Sequence, residues 1–312
     1  MKRSMLLLTI LLAMALLCSC APNSSQDVSF APTEDIPLAA APADDPLTPT
    51  NALSLIPELD MLQVIILDVG QADCILLKTG SHSMLIDAGN IGQDTLILDY
   101  LSKFDVDNLD YLVATHPHAD HIGAMAAVIR AMDSIGDVLT PDIPYTTKTF
   151  EDLLNVIEEK DIPLRAVAPG GLFALGNAQI QVLAPNSAAY TDLNEYSVVL
   201  RVEFGATSFL FAGDAGAKSE IEQLSSGLPL EAEVLKVGHH GSSASSSQEY
   251  LDAVNPQYAV ISCGEDNSYG YPHSETMQKL NEMDIKVYRT DENGTIIFTS
   301  DGQLISVDLE YE

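Results

Sequence analysis

Short apolar runs and polar, glycine-containing segments alternate from about residue 61 to the C-terminus. Runs rich in Val, Ile and Leu predict β-strands, whereas longer stretches with a helical apolar period predict helices. In the first half, strands are predicted at 63–67, 74–78, 83–86 and 111–114, and helices at 94–104, 123–132 and 150–159. Gly70, Gly80 and Gly89 fall between the first elements, where turns are expected.

The second half repeats this outline after a Pro-Gly-Gly turn at 169–171. Its strands are predicted at 180–183, 197–204, 208–212, 234–237, 258–262 and 286–288, and its helices at 218–224, 248–254 and 276–283. A closing hairpin is predicted from 294–299 and 303–308. Two similar halves, each with strands followed by helices, predict an α+β fold in which two sheets pack face to face with helices outside.

The N-terminal segment follows a different pattern. Basic residues at positions 2 and 3 precede an apolar run at 5–17 that is too short to span a bilayer comfortably. The Leu-Cys-Ser-Cys sequence that ends this segment resembles the bacterial lipobox, which implies a lipoprotein signal peptide at 1–19 and a lipid on Cys20. An ordinary secretory signal is the alternative. We therefore expect an extracytoplasmic protein that the lipid on Cys20 anchors to the bacterial membrane.

Composition marks where the folded part begins. Residues 21–60 are rich in Pro, Ala, Thr, Ser and Asp and show no periodicity, so we expect a disordered tether at 20–60 and a folded domain at 61–312. Inside that domain, Cys74 and Cys263 lie in apolar, strand-like runs. Both are expected to be buried and free, with a disulfide as the alternative.

Acidic residues dominate the chain, with 45 Asp and Glu against 14 Lys and Arg and a formal net charge of −31. A surface this acidic repels polyanions at long range, which counts against tight, non-specific binding of nucleic acid. The same charge is compatible with a local site at which metal ions supply the positive charge.

The most informative segment is THPHADH at 115–121, which follows a predicted buried strand and precedes a predicted helix. Imidazole and carboxylate groups together suit zinc, iron or manganese. In an extended loop, His116 and His118 point to the same side and can bind one metal. Asp120 and His121, on the turn into the helix, can reach a second metal beside it. An exposed histidine-rich loop is the alternative, but the strand-to-helix setting favours a rigid site.

This His-x-His-x-Asp-His pattern after a strand resembles the signature of the metallo-β-lactamase superfamily. The resemblance implies a four-layer αββα sandwich with the metal site on loops at one edge of the sheets. It implies that Asp87 supports the metal ligands from behind and that Asp214 bridges two metals, although either could be a plain turn residue. It further implies that one of His239 and His240 binds the second metal while the other faces the substrate. Asp120 and His240 are the catalytic residues that it implies.

Four further segments resemble one branch of that superfamily, the hydrolase domain of ComEC-type competence proteins; they lie at 68–73, 194–197, 236–242 and 267–273. Within them, the resemblance places Asp68 behind the metal ligands and Lys236, Ser242 and His273 on the substrate side. The sequence differs from the branch at Tyr271, where histidine is frequent, and at Ala72, where glycine is common. It contains no polytopic membrane channel, so we expect a stand-alone relative for which a role in DNA uptake does not follow.

One departure concerns the first metal. The family usually supplies a third histidine to it shortly before the bridging aspartate, yet no histidine lies between His121 and His239. Asn194 is the nearest candidate for that position. A site poorer in nitrogen is expected to bind its metal more weakly, to have water in the vacant position, or to suit manganese better than zinc.

The predicted function is metal-assisted hydrolysis, in which two divalent ions, zinc or manganese, share a hydroxide and clamp the substrate. The resemblance favours a phosphodiester or phosphoester, in nucleic acid or in a cell-wall polymer. A β-lactamase or thioesterase is an alternative, because the fold alone does not fix the substrate. A second alternative is a binding or scaffolding lipoprotein with a degenerate site, of which Asn194 would be the sign. No protein partner can be inferred.

Overall fold

A computed structural model describes residues 61–143 and 145–311 of the protein. The predicted signal peptide at 1–19 and the tether at 20–60, with Cys20, lie outside the described residues. Within the described ranges, no helix combines the length and the apolar character needed to cross a bilayer.

Apolar runs from both ends of the domain pair to form a first, eight-stranded sheet. Its strands are β1 (Leu62–Ile66), β2 (Ile75–Thr79), β3 (His82–Ile86), β4 (Asn108–Val113), β5 (Ser134–Thr140), β6 (Leu164–Ala166), β14 (Ile296–Ser300) and β15 (Ile305–Leu309). The order across the sheet is β15-β14-β1-β2-β3-β4-β5-β6. The pairs from β3 to β6 are parallel, and the other pairs are antiparallel.

The second sheet has seven strands. They are β7 (Leu172–Leu175), β8 (Ala178–Ala184), β9 (Val199–Phe204), β10 (Thr207–Phe211), β11 (Val234–Lys236), β12 (Tyr258–Ile261) and β13 (Lys286–Arg289). The order across the sheet is β13-β12-β11-β10-β9-β8-β7. The pairs from β10 to β13 are parallel, so the carboxyl ends of these strands meet at one edge.

Helices cover the outer face of each sheet. They are α1 (Asp94–Lys103), α2 (Ala119–Ile122), α3 (Met125–Ala131), α4 (Lys148–Glu159), α5 (Ala217–Ser225), α6 (Gln248–Val254), α7 (Ser274–Glu282) and α8 (Thr290–Asn293). One apolar cluster joins α1, α3 and α4 to the first sheet, a second fills the space between the sheets, and a third joins α6 and α7 to the second sheet. The buried residues of α5 are polar: Ser219, Glu220 and Gln223. These layers confirm the predicted αββα sandwich.

Burial on both faces explains the apolar strand sequences. Along β4, Leu112 packs toward the helices and Val113 toward the other sheet. Along β10, Phe209 faces the space between the sheets and Leu210 faces the helices. Strands buried on both sides therefore appear in sequence as continuous apolar runs rather than alternating ones.

Several elements differ from the sequence-based expectation. The pattern does not predict β5, β6 or β7; β6 is exposed along its length, and β5 contains Gly136, where a Cβ would lie 2.5 Å from the carbonyl oxygen of Asp110. The helix expected at 123–132 is shorter and is preceded by α2. Between these helices, Gly123 packs directly against the backbone of Asn90. Both Cys74 and Cys263 are free and buried, as predicted.

The carboxyl ends of four strands converge where the two sheets meet. β3 leads to Asp87, β4 to the loop at 115–121, β10 to Asp214 and β11 to a 3-10 turn at Gly238–Gly241. The Val198 N–H donates to the Thr115 carbonyl oxygen at 2.9 Å, which ties the second sheet to this loop. The site predicted from the sequence therefore lies at one edge of the sandwich.

Candidate metal centre

Asp87 ties the histidine loop to the end of the neighbouring strand. It is fully buried and has a left-handed backbone conformation with φ of 59°. The Thr115 N–H donates to Asp87 Oδ1 at 2.8 Å, and the Thr115 hydroxyl donates to Oδ2 at 2.6 Å. His121 Nδ1 also donates to Oδ2, at 2.7 Å, and its Nε2 lies 3.3 Å from Asp214 Oδ2. Asp87 therefore fixes the orientation of the His121 ring.

His116 and His118 present two nitrogen atoms side by side. His116 Nε2 lies 3.0 Å from His118 Nδ1 and 3.9 Å from Asp214 Oδ2. On its other side, His116 Nδ1 lies 3.3 Å from the Ser197 hydroxyl. Burial lowers the pKa of His116 well below its ordinary value, and the charge on His121 lowers it further. His116 is therefore neutral, which is the form of histidine that binds metals.

Asp214 stands at the centre of the site. It lies just beyond β10, and its backbone N–H donates to Ser197 Oγ at 3.1 Å. Imidazole nitrogens surround its carboxylate, on His116 (3.9 Å), His121 (3.3 Å), His239 (3.7 Å) and His240 (3.7 Å). Burial would raise the pKa of Asp214, but the charges on His121 and His240 hold it well below its ordinary value. A carboxylate in this setting can contact two cations.

Two adjacent histidines follow β11, and both have positive φ angles, 49° for His239 and 52° for His240. Such conformations cost about 1–3 kcal/mol each and persist only where the surroundings enforce them. His240 is buried; its Nδ1 donates to the Ser262 carbonyl oxygen at 2.9 Å, and its Nε2 lies 3.5 Å from Asp120 Oδ2. His239 is partly exposed, and its Nε2 lies 3.4 Å from the Tyr271 hydroxyl. His240 therefore joins the buried ligand atoms, whereas His239 borders the pocket.

Behind these ligands, Asp73 and Lys236 form a buried ion pair. Lys236 Nζ lies 2.5 Å from Asp73 Oδ2, and the two side chains are 0% and 2% exposed. Asp73 also approaches the ligand rings, with Oδ1 3.5 Å from His240 Nδ1 and Oδ2 4.0 Å from His121 Nδ1. The substrate-side position predicted for Lys236 is wrong, because its charge is enclosed behind the ligands.

Asp73 is a site residue that was not predicted, although the sequence contains one signal for it. Lys236 interrupts the apolar run at 234–237, and a lysine buried in such a run needs a carboxylate partner. The sequence does not show which of the many acidic residues is that partner, because Asp73 lies in the other half of the chain.

A pocket of about 330 Å³ opens over the ligand atoms. Besides candidate ligands, its wall contains Gln71, Asn194, Tyr269 and Tyr271, and among the described residues no lysine or arginine lines it. Asn194 belongs to a 3-10 turn at Leu193–Tyr196. Its Oδ1 is buried without a hydrogen-bond partner in the described part of the chain, so an unsatisfied amide oxygen lies in the wall.

Three other predicted site residues lie outside the pocket wall. Asp68 Oδ1 accepts the Gly70 N–H at 3.1 Å, in a turn rather than against a metal ligand. Ser242 is buried, and its hydroxyl accepts a backbone N–H from two residues further on. His273 precedes α7, and its Nδ1 accepts the Ser243 N–H at 3.0 Å. These side chains stabilise loops, and the roles predicted for Asp68, Ser242 and His273 stay predictions.

The side chains that are present fit divalent cations. One ligand atom from each of four residues lies within 4.8 Å of the others; the residues are Asp120, His121, Asp214 and His240. In the described part of the chain, Asp214 Oδ1 and the Nε2 atoms of His121 and His240 are buried without a hydrogen-bond partner. Buried polar atoms are normally satisfied, so this convergence indicates a bound ligand.

The balance of charge leads to the same conclusion. Four carboxylates converge on the site, those of Asp73, Asp87, Asp120 and Asp214. The Lys236 ammonium group lies among them, 2.5 Å from Asp73 Oδ2. Burial alone would lower the pKa of His121, but the carboxylates of Asp214 and Asp87 raise it well above its ordinary value. A proton on this imidazole partly offsets the acidic charge, and a bound cation would displace it.

Residues 67–265 match the model of the metallo-beta-lactamase superfamily, and the chain belongs to that superfamily. Its members are generally metal-dependent hydrolases, and the fold usually binds divalent metals.

Two solved structures share the fold. YhfI from Bacillus subtilis has a TM-score of 0.54 at 14% identity and covers 77% of this chain and 100% of its own. CmlA from Streptomyces venezuelae, a diiron beta-hydroxylase, has a TM-score of 0.51 at 15% identity over 75% of this chain and 53% of its own.

Sequence relatives place the chain within one branch. ComE operon protein 3 of Bacillus subtilis is 30% identical over 253 residues, which is 75% of this chain and 32% of that protein. Competence protein ComA of Neisseria gonorrhoeae is 30% identical over 237 residues, which again is 75% of this chain and 32% of that protein. Recombination protein 2 of Haemophilus influenzae is 28% identical over 239 residues, 75% of this chain and 28% of that protein. The predicted likeness to ComEC-type proteins is therefore confirmed, and the chain spans about a third of the length of these relatives.

Proposed function

We propose that the protein is an extracytoplasmic, metal-dependent phosphodiesterase that acts with two divalent cations. The observation that carries the proposal is the buried convergence of Asp120, His121, Asp214 and His240, whose ligand atoms lie within 4.8 Å of one another. These residues would hold an inner cation. His116 and His118, whose nitrogens are 3.0 Å apart, would hold an outer cation together with Asp214.

When bound, such cations polarise a phosphoryl oxygen and lower the pKa of water toward about 7. The protein's own contribution is orientation. Asp87 fixes the His121 ring, and the Ser262 carbonyl oxygen fixes the His240 ring, each by accepting the Nδ1 proton. Because Nδ1 keeps its proton in each ring, Nε2 is the nitrogen that a bound cation would contact. Asp120, whose side chain is 30% exposed, is the carboxylate that connects the buried ligands to the pocket.

A phosphodiester or phosphoester fits this arrangement best among the substrates considered. A pair of cations can contact both the attacking and the leaving oxygen in such a displacement. The pocket wall contains no lysine or arginine among the described residues, so cations are the positive charge available to a phosphate group. Nucleic acid and phosphodiester-containing cell-wall polymers are the two candidate substrates.

The test compares wild-type protein with Asp120→Ala. Asp120 lies at the edge of the pocket, so its loss should remove metal binding and hydrolysis of bis-p-nitrophenyl phosphate without unfolding the domain. Asp152→Ala is the matched control, because Asp152 pairs with Lys148 on the surface at 2.6 Å. Metal content and turnover are measured on the same samples, with zinc and with manganese.

Three outcomes would overturn the proposal. Full metal occupancy with wild-type turnover in Asp120→Ala would remove Asp120 from the site. A wild-type protein that binds metal but hydrolyses no phosphodiester, with turnover of nitrocefin or a thioester instead, would favour another substrate class. Failure to bind metal at all would favour the binding or scaffolding alternative.

The membrane anchor is proposed separately, because Cys20 lies outside the described residues. A diacylglyceryl group supplies two acyl chains, which are enough for stable anchoring. Cys20→Ser is therefore expected to move the protein from the membrane fraction to the soluble fraction of expressing cells, and Cys263→Ser is not. A Cys20→Ser protein that still sediments with membranes would show that the lipid is not the anchor.

A further inference from the structure

Two tyrosines extend the metal site toward solvent. Tyr269 and Tyr271 both line the pocket, and their rings are stacked with centroids 5.4 Å apart and an angle of 10° between planes. Tyr271 in turn stacks near the buried ring of His240, with ring centroids 6.3 Å apart and an angle of 25° between the ring planes. The outer ring, Tyr269, is 64% exposed. Three planar groups therefore form a continuous stack from the candidate inner ligand to solvent.

The loop around the stack is built to hold it. Asn267 Nδ2 donates to the carbonyl oxygens of Gly264 and Tyr271, at 2.9 and 2.6 Å, and Asn267 Oδ1 accepts the Tyr271 N–H at 3.0 Å. His273 Nε2 lies 3.3 Å from the Tyr269 carbonyl oxygen. Several contacts thus fix the backbone on both sides of Tyr271. An aromatic face held in place at the mouth of a pocket loses little conformational freedom when it binds a ligand.

We propose that Tyr269, supported by Tyr271, is a stacking surface for a planar group that the substrate carries beside its scissile phosphodiester. This inference rests on the proposed function and narrows its substrate class to nucleotide-type phosphodiesters. A base next to the reacting phosphate can stack on an exposed aromatic ring whatever its sequence. A polyol phosphate polymer of the cell wall has no planar group to offer.

The electrostatics of the pocket strengthen the argument. Asp120 and Asp214 line it, no described lysine or arginine does, and the chain carries a net charge of −31. Proteins that bind nucleic acid usually derive affinity from phosphate contacts with basic residues, and that source is missing from this wall. Affinity for a polyanionic substrate must then come from bound cations and from stacking.

The test uses two short single-stranded oligonucleotides with the same phosphodiester backbone, one of thymidines and one of abasic tetrahydrofuran residues. For wild-type protein, we expect KM to be about tenfold lower for the base-bearing strand. Tyr269→Leu should remove that preference by raising KM with kcat nearly unchanged, and Tyr269→Phe should keep it. Tyr311→Leu is the matched control, because Tyr311 is 59% exposed and lies outside the pocket wall.

A binding measurement separates the inference from the proposed function. The chain has no tryptophan, so quenching of tyrosine fluorescence by the oligonucleotide reports a stacked base, and the signal should fall in Tyr269→Leu. A preference for the base-bearing strand in binding, without hydrolysis, would support the stack and overturn the phosphodiesterase. Hydrolysis with equal KM for both strands, or an unchanged preference in Tyr269→Leu, would overturn the stacking surface.

Discussion

The two halves of the candidate metal centre differ in how the protein holds them. The inner group, Asp120, His121, Asp214 and His240, is mostly buried, and partners fix its rings: Asp87 holds His121 and Ser262 holds His240. The outer group, His116 and His118, has one buried ring beside Ser197 and one partly exposed ring that lines the pocket.

The difference between the two groups predicts different metal affinities. Hydrogen bonds behind a ligand fix its ring and its tautomer and raise metal affinity, and the inner group has more of them. The inner cation should therefore bind tightly, and the outer cation should exchange readily. Asp214 belongs to both, because its carboxylate approaches His116 as well as His121. Substitutions that act on one group at a time can test this assignment.

The largest effect on metal binding and turnover is expected at Asp214, the residue that both groups share. Asp214→Asn removes the shared negative charge and should lose both cations, with turnover reduced at least about a thousandfold, or about 4 kcal/mol of transition-state stabilisation. The control is His118→Ala, which should lose the outer cation and keep the inner one. Metal content after dialysis against a chelator measures both. Equal metal loss in the two variants would show that the groups do not bind separate cations.

The buried ion pair behind the inner group should have the next largest effect. Lys236→Met leaves Asp73 buried without its partner, and breaking such a pair costs about 3–5 kcal/mol. Urea unfolding should show that loss in free energy, and Asp73→Asn combined with Lys236→Met should recover most of it. Lys148→Met removes a surface lysine that pairs with Asp152 and should leave the unfolding free energy unchanged. If the double variant is as unstable as Lys236→Met, packing rather than charge explains the result.

Lys236 also shows where sequence reasoning fails. The family resemblance placed it on the substrate side, whereas the fold brings it to Asp73, 163 positions away in the chain. Local sequence also does not show which of His239 and His240 is the candidate metal ligand. Both have left-handed backbone angles, and contacts with Ser262 and Tyr271 decide which ring is buried. Such contacts join distant segments, so local pattern cannot reveal them.

Other features of the fold and of the site can be predicted from the sequence because the residues that determine them are neighbours in the chain. The loop at 115–121 holds four candidate ligands in one short segment, and its setting between a strand and a helix can be recognised from the sequence alone. The central strands are buried on both faces, so their apolar runs are continuous and easy to identify. Edge strand β6 is exposed along its length and gives no such signal.

A smaller effect is expected from Asp87→Asn, which tests the support behind His121. Asn tolerates the left-handed conformation of Asp87, but its amide can donate to His121 Nδ1 and so favour the tautomer with a proton on Nε2. Metal affinity of the inner group should fall about 10–100-fold. The control is Asp110→Asn, since Asp110 makes a similar contact with His82 at 2.9 Å, but on the surface. Metal titration of both variants gives the comparison. Unchanged affinity in Asp87→Asn would mean that Asp87 does not set the tautomer.

The smallest effect concerns the outer group and Asn194. Its turn is fixed in position, since Asp192 Oδ1 accepts the Asn194 N–H at 3.0 Å and the neighbouring Glu195 accepts the Ser219 N–H at 2.7 Å. Asn194 Oδ1 is buried and unsatisfied in the described part of the chain. An amide oxygen is a harder ligand atom than imidazole nitrogen and suits manganese better than zinc.

Asn194→His should therefore raise the zinc affinity of the outer group, by about tenfold, and reduce manganese-dependent turnover relative to zinc-dependent turnover. The control is Gln71→His, which adds an imidazole to the same pocket wall at a position where Gln71 Oε1 accepts the Gly264 N–H. Zinc titration of both variants, with the inner group already filled, isolates the outer group. If both variants gain zinc affinity equally, the pocket accepts an imidazole anywhere and Asn194 has no special relation to the outer cation. If neither gains affinity, Asn194 does not occupy a ligand position, and Ser197 becomes the better candidate because its hydroxyl lies 3.3 Å from His116 Nδ1.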